Sequence, residues 1–278
     1  MKACNYCLEC LERLAYQAAK LGANNKASEA RAVKESLKIL HDDFSLDCVS
    51  ITIATKMHDV VKKITGNPDP YRQMKDKEID IGRELVQQLE INGDDCVSCL
   101  KFSASGNTID FFRPIELLVN DLKEPVQFVI DDSNKFEAKL GSSHRLLYLA
   151  DNAGEVFFDL PLLKLLRKKA SVAYVVKSSA VQNDITLSDI ELLGLKEELG
   201  EVLTTGTATP GIDFSLASTE FEAAYNSADL IFAKGMGYYE SLSELPASGK
   251  VFYCLRAKCP PVADSLKVPL NSYVAMLR

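Results

Sequence analysis

The sequence predicts an α/β protein, a Rossmann-like α/β/α sandwich with a mainly parallel sheet, preceded by an N-terminal helical bundle. Three observations predict it. Up to about residue 100, apolar residues recur at helical spacing, as in Leu8-Leu11-Leu14-Ala15 and Leu37-Leu40, with few β-branched runs. After about Pro125 the texture changes to short apolar runs, "VQFVI", "RLLYLA", "SVAYVV", "EVL", "ADLIFA" and "KVFYCL", separated by helical stretches. Strand and helix alternating in this way read as a parallel, doubly wound sheet. Between the halves stand two punctuations. "TGNPDPYRQMKDKE", residues 65–78, uses Asn67-Pro68 and Asp69-Pro70 to force extended or turn geometry before a new helix. "SASGNTIDF", residues 103–111, is the second. We therefore place a helical domain at 1–102 and an α/β domain at 103–278. No internal repeat or low-complexity tract interrupts either.

Composition narrows the function. The chain has 278 residues, 47% apolar and 26% charged, with a formal net charge of −7. Lys and Arg form no dense stripe, so nucleic acid is not an expected partner. No apolar run approaches the ~20 residues of a membrane span, and Met1-Lys2-Ala3-Cys4 lacks the pattern of a secretory signal. A cytoplasmic protein without a membrane partner is expected. Eight cysteines then point to reduced thiols or a metal rather than disulfides. Cys4, Cys7 and Cys10 form overlapping CxxC steps, Cys96 and Cys99 another, and Cys254 and Cys259 lie near the C-terminus. Thiolates so spaced can close a soft-metal site; equally, cysteines three apart on a helix can be small core residues. His41, His58 and His144 show no ligand-like spacing and read as surface or packing residues.

The strand-end loops carry the chemistry. In "LLYLADNAGEVFFDLPLLKLL", residues 146–166, an apolar strand meets an amphipathic helix through Asp151-Asn152-Ala153-Gly154-Glu155. Open α/β sheets bind ligands outside the carboxyl ends of their strands. A helix N-terminus there attracts an anion, while an Asp carboxylate and an Asn oxygen are hard ligands for a divalent cation. The same pentapeptide would also serve as a helix cap eased by Gly154. The next strand runs into Lys177 and returns Asn183-Asp184, a second carboxylate for the same edge or another Asx-capped turn. "TTGTATPGIDF" (204–214) and "AKGMGYYES" (233–241), the latter containing Lys234 and Gly235, are glycine- and hydroxyl-rich loops whose backbone N–H groups can approach a phosphate. Lys258 would add a point charge, or is simply solvated.

These segments resemble the DUF89 proteins, or damage-control phosphatases. The resemblance spans nearly the whole chain, in order: "CLECLERLAYQAA", "GNPDPYRQMK", "SGNTIDF", "LADNAGEVFFD", "VKSSAVQNDIT", "AKGMGYYESL" and "LRAKCPPVA". It implies a metal-dependent phosphatase acting on small phosphorylated metabolites such as sugar phosphates. The implied cofactor is a divalent ion, Mn²⁺, Ni²⁺, Co²⁺ or Mg²⁺, held by Asp151, Asn152 and Asp184, which are also the catalytic set. Lys258 would contact phosphate, with Lys234 and Gly235 beside it, and Glu155 would orient water or a ligand. The N-terminal cysteines resemble the stand-alone microbial branch, implying a second cluster of Cys7, Cys10 and Cys259. Where relatives often read Lys-Gly-Gln-Gly-Asn-Tyr-Glu, this chain has Lys234-Gly235-Met236-Gly237-Tyr238-Tyr239-Glu240, losing two polar side chains that would touch substrate. Two other readings stay open: a metal- or metabolite-binding module built on the cysteines, and a methyltransferase using the same core, although no G-x-G-x-x-G is present.

Overall fold

The computed structural model describes residues 1–89, 91, 93–109, 118, 120, 122 and 124–278; the end of the "SGNTIDF" motif, Asp110 and Phe111, lies outside them. The first described elements are helices α1 (Asn5–Gly22), α2 (Lys26–Asp43), α3 (Ser50–Thr65), α4 (Arg72–Gln87) and α5 (Cys96–Ser105). On α1 the buried residues Cys7, Leu11, Ala15, Ala18, Ala19 and Gly22 fall on one stripe, as a 3.6-residue period requires. That stripe packs α1 onto α2 and α3 through Leu11, Ala15, Leu40, Ile53 and Met57. Asn25 starts α2 by accepting from the Ser28 N–H, and α3 stops at left-handed Gly66. Helix α5 runs through residue 102, and its buried Cys96, Cys99, Leu100 and Ala104 belong to the core beneath the sheet. No described helix is long and apolar enough to cross a membrane.

The second half alternates as β1 (Phe128–Asp131), α6 (Ser133–Leu140), β2 (Arg145–Leu149), α7 (Val156–Arg167), β3 (Ser171–Val176), α8 (Leu187–Leu193), α9 (Lys196–Leu199) and β4 (Glu201–Thr204). It continues as α10 (Thr219–Ser227), β5 (Leu230–Lys234), α11 (Gly235–Leu242), β6 (Val251–Arg256), α12 (Pro260–Leu266) and β7 (Tyr273–Leu277). Every apolar run read as a strand is one. They form a seven-stranded sheet in the order β1-β7-β6-β5-β2-β3-β4. Strands β6, β5, β2, β3 and β4 are parallel. Strand β7, which the sequence reading missed, pairs antiparallel with β6, and β1 pairs parallel with β7. The first predicted strand thus runs against the central five. "YVAML" is a short, wholly apolar run, which periodicity cannot tell from a helix segment.

The chain leaves β2 toward β3 and β4, then returns to the other side of β2 for β5. The carboxyl ends of β2 and β5 therefore flank the point where strand order reverses, the place where open sheets leave a crevice. Asp151 follows β2 there, and Lys234 ends β5.

Candidate active site

Two loops meet over that crevice. After β3 the chain folds back so that the Ile185 N–H donates to the Asp151 carbonyl at 2.9 Å and the Ala153 N–H to the Asn183 carbonyl at 2.8 Å. An antiparallel bridge pairs Asn152 with Asp184. Asp151, Asn152 and Asp184 are thereby brought together, with all three lining one cavity. The capping alternative fails on geometry. Asn152 precedes the 3-10 turn at Ala153–Glu155 without a side-chain cap bond, and α8 is capped by Thr186 and Asp189 rather than Asp184. Instead, the Asn152 Nδ2 donates to Glu155 Oε1 at 2.7 Å and to Asp151 Oδ2 at 3.3 Å. With its nitrogen so engaged, the amide leaves its oxygen as the free acceptor.

Two buried lysines sit against this acidic group. Lys234 is fully buried, and its Nζ donates to the Ser103 carbonyl at 2.6 Å and lies 2.9 Å from Glu155 and 3.0 Å from Asp159. Asp159 also accepts from the hydroxyls of Tyr148 (2.7 Å), Ser103 (2.8 Å) and Tyr174 (3.1 Å). A side chain so enclosed cannot reach a phosphate, so the phosphate-binding role expected of Lys234 is corrected to that of a buried counter-ion. Glu155 is likewise interior: 1% exposed, it pairs with Lys234 and accepts from the Asn107 and Asn152 amides, acting on the cavity through these two lining residues. Gly235 also seats a carboxylate. Its φ is +77°, and a Cβ there would overlap the Asp151 carboxylate, which rests on this glycine.

Lys177 is the second buried cation. Its ammonium donates to the Gly211 carbonyl and, at 3.0 Å, to the Tyr238 hydroxyl, and lies 3.6 Å from Asp184 Oδ2. Tyr238, read from sequence as a lost polar contact with substrate, thus keeps a polar task inside the protein. From the helical segment, α4 contributes Glu78. A Cβ on Gly82 would overlap the Gly154 carbonyl, so α4 lies backbone to backbone on the turn that follows Asn152. That approach lets Asn183 Nδ2 donate to Glu78 at 2.8 and 3.1 Å.

Electrostatics follow from this crowding. Burial, with Glu155 and Asp184 nearby, holds the Asp151 carboxyl well above the usual carboxylate range, only partly offset by Lys258 and Lys234. Burial also pushes Asp184 up to about 6 against the opposing pull of Lys177 and Lys75. Two carboxylates and an amide oxygen converging with excess negative charge fit a hard divalent ion such as Mn²⁺ or Mg²⁺. Among the described residues no three His, Cys, Asp or Glu side chains are arranged as a cation site, so the set depends on Asn152 as its third donor.

The cavity measures about 690 Å³ and extends from Asp151 past Asn107 and the exposed Lys258 toward Tyr6, Arg13 and Gln17 of α1. Cys7, Cys10 and Cys259 line its other wall. Burial raises Cys7 and Cys259 to about 11 and lifts Cys10, so these thiols are protonated at neutral pH, and no preformed metal cluster joins them among the described residues. Cys96, Cys99 and Cys254 are core residues. Glu78, Asn107, Asp159 and Lys177 escaped the sequence reading as site residues. The local signals were Lys177 at the end of an apolar strand and Asn107 beside glycine at the end of an apolar helix.

Fold and site together define a mostly parallel α/β protein with an acidic crevice at the switch point of its sheet. The family model described as the damage-control phosphatase ARMT1-like domain matches residues 3–274, and the chain belongs to this family. A damage-control phosphatase of Pyrococcus horikoshii is 32% identical over 99% of this chain and 98% of its own. One from Archaeoglobus fulgidus is 32% identical over 99% of each. The crystal structure of a DUF89 family protein from P. horikoshii superposes with a TM-score of 0.89 at 31% identity, covering 100% of this chain and 99% of that one.

Proposed function

We propose that the protein is a metal-dependent phosphatase that hydrolyses phosphomonoesters of small metabolites. The observation that carries this is the bridge between Asn152 and Asp184, which gathers Asp151, Asn152 and Asp184 at the mouth of β2. The names borne by the relatives support a phosphatase. A cavity of about 690 Å³ falls in the range of small-molecule sites, roughly 300–1,000 Å³, which favours a metabolite over a polymer.

Phosphate esters hydrolyse very slowly unaided, so the site must neutralise the phosphoryl oxygens and align a nucleophile. A divalent cation held by Asp151, Asn152 and Asp184 would supply Lewis acidity and lower the pKa of bound water. Glu155 turns the Asn152 amide so that its oxygen is available, and Gly235 leaves room for the Asp151 carboxylate. Lys258, exposed on the cavity wall, offers an ammonium to a phosphoryl oxygen. The leaving group would extend toward α1 and α3.

The test is hydrolysis of p-nitrophenyl phosphate by metal-stripped protein, with Mn²⁺, Ni²⁺, Co²⁺ or Mg²⁺ restored, beside Asp151→Asn. Turnover that needs the ion and disappears in the variant is expected. Full activity in Asp151→Asn would overturn the reading.

A further inference from the structure

Lys177 poses a problem for a cation site at Asp184. A buried ammonium beside a carboxylate normally takes a direct charge-assisted hydrogen bond, and a carboxylate so engaged is a poorer metal ligand. Here the pair is long: Nζ lies 3.6 Å from Asp184 Oδ2, an ion pair well outside the closest approach of an ammonium to a carboxylate, although both groups are buried. Two of its three protons go instead to the Gly211 carbonyl and the Tyr238 hydroxyl, the latter at 3.0 Å, and the ammonium stands 4.3 Å from the Tyr238 ring centroid. Both acceptors are rigid. Tyr238 is 1% exposed on α11. Gly211 has φ +69°, and a Cβ there would overlap the Gly237 carbonyl of the same helix.

The geometry points to Tyr238 and the Gly211 carbonyl as a latch that keeps the Lys177 ammonium at arm's length from Asp184, so that the lysine competes less for that carboxylate when a cation binds. Tyr238 is then a positioning residue, acting through Lys177. This inference rests on the cation site proposed above. Remove the hydroxyl and the freed proton has Asp184 as its nearest anionic acceptor, so the lysine competes with the ion. Remove the ammonium and the competitor is gone, while the site gains net negative charge. The two changes act on cation affinity with opposite sign, which a merely structural role for either residue would not produce.

The experiment is titration of metal-stripped protein with Mn²⁺, read by calorimetry and by the electron paramagnetic resonance signal of free ion, for wild type, Tyr238→Phe and Lys177→Met. Circular dichroism checks that each variant is folded. We expect Tyr238→Phe to weaken Mn²⁺ binding roughly tenfold, the scale of one charge-assisted hydrogen bond, and Lys177→Met to strengthen it by a similar factor. Wild type that fails to bind Mn²⁺ would overturn the cation site itself, and the latch with it. Wild type that binds while folded Tyr238→Phe is unchanged or tighter would overturn the latch alone, even if Lys177→Met does not fold. A folded Lys177→Met that binds more weakly would do the same.

Discussion

Replacing Lys234 with methionine separates a buried counter-ion from a phosphate ligand. The wild-type ammonium lies within 3.1 Å of four oxygens, two from Ser103 and one each from Glu155 and Asp159. Methionine keeps most of the side-chain volume but leaves two interior carboxylates without their cation. Breaking a buried ion pair from one side costs about 3–5 kcal/mol. For a chain of this size that corresponds to a fall in Tm on the order of 10 °C, readable by circular dichroism without any ligand. The deficit should also vary with pH. Burial already raises the Asp159 carboxyl, and without Lys234 it would rise further. A carboxyl raised above its unfolded value contributes stability at low pH that is lost as pH climbs through the folded value. Lys234→Met should therefore lie closer to wild type at pH 5 than at pH 8. A Tm within about 2 °C of wild type, together with a raised KM for p-nitrophenyl phosphate, would refute this assignment and return Lys234 to the substrate site.

Two further outcomes follow from the same geometry. Gly235→Ala should place a methyl group against the Asp151 carboxylate and strain a φ of +77°; displacement of the carboxylate by about 1 Å should cost roughly a hundredfold in kcat, and wild-type rates in the alanine variant would show that the carboxylate does not depend on this seat. His58 is almost fully buried with Nε2 unpartnered, and burial, then Lys62, lowers its pKa to about 3. The folded protein therefore holds this ring neutral while the unfolded chain protonates it below its ordinary value. Stability should fall with acidification from about pH 6.5 toward pH 3, by about 1.4 kcal/mol per pH unit from this group. Urea midpoints of wild type and His58→Phe should diverge in that window by this slope; parallel curves would refute it.

Much of the fold was legible because its signals are local. "SVAYVV" is fully apolar after its first residue and maps onto β3 without a shift, since a strand buried on both faces needs no alternation. Gly66 and the two prolines after it punctuate α3 and α4 where they should. Strand β7 was hidden because its identity comes from pairing with β6, a partner about twenty residues away in the chain, and not from its own five residues.

The candidate site was legible in its residue types and opaque in its partnerships. Asp151, Asn152 and Asp184 could be read from sequence as candidate hard-oxygen donors at strand ends or as caps, and a backbone bridge brings them together. Lysine is different, because its role depends on what lies within a few ångströms of its ammonium. Lys258 follows β6 and remains exposed on the cavity wall, whereas Lys234 closes β5 one strand over and turns inward to Glu155 and Asp159. Sequence offers both as cations beside glycine or proline at strand ends, and only the interior acids distinguish them. Lys177 follows the same logic: its ammonium is placed by Tyr238 and Gly211, from segments 61 and 34 residues downstream. Charge compensation of this kind lets several carboxylates crowd one crevice without all being neutralised by protons. With Lys234 spent on Glu155 and Asp159, and Lys177 3.6 Å from Asp184, a divalent cation between Asp151 and Asp184, where it is proposed to bind, would complete the compensation.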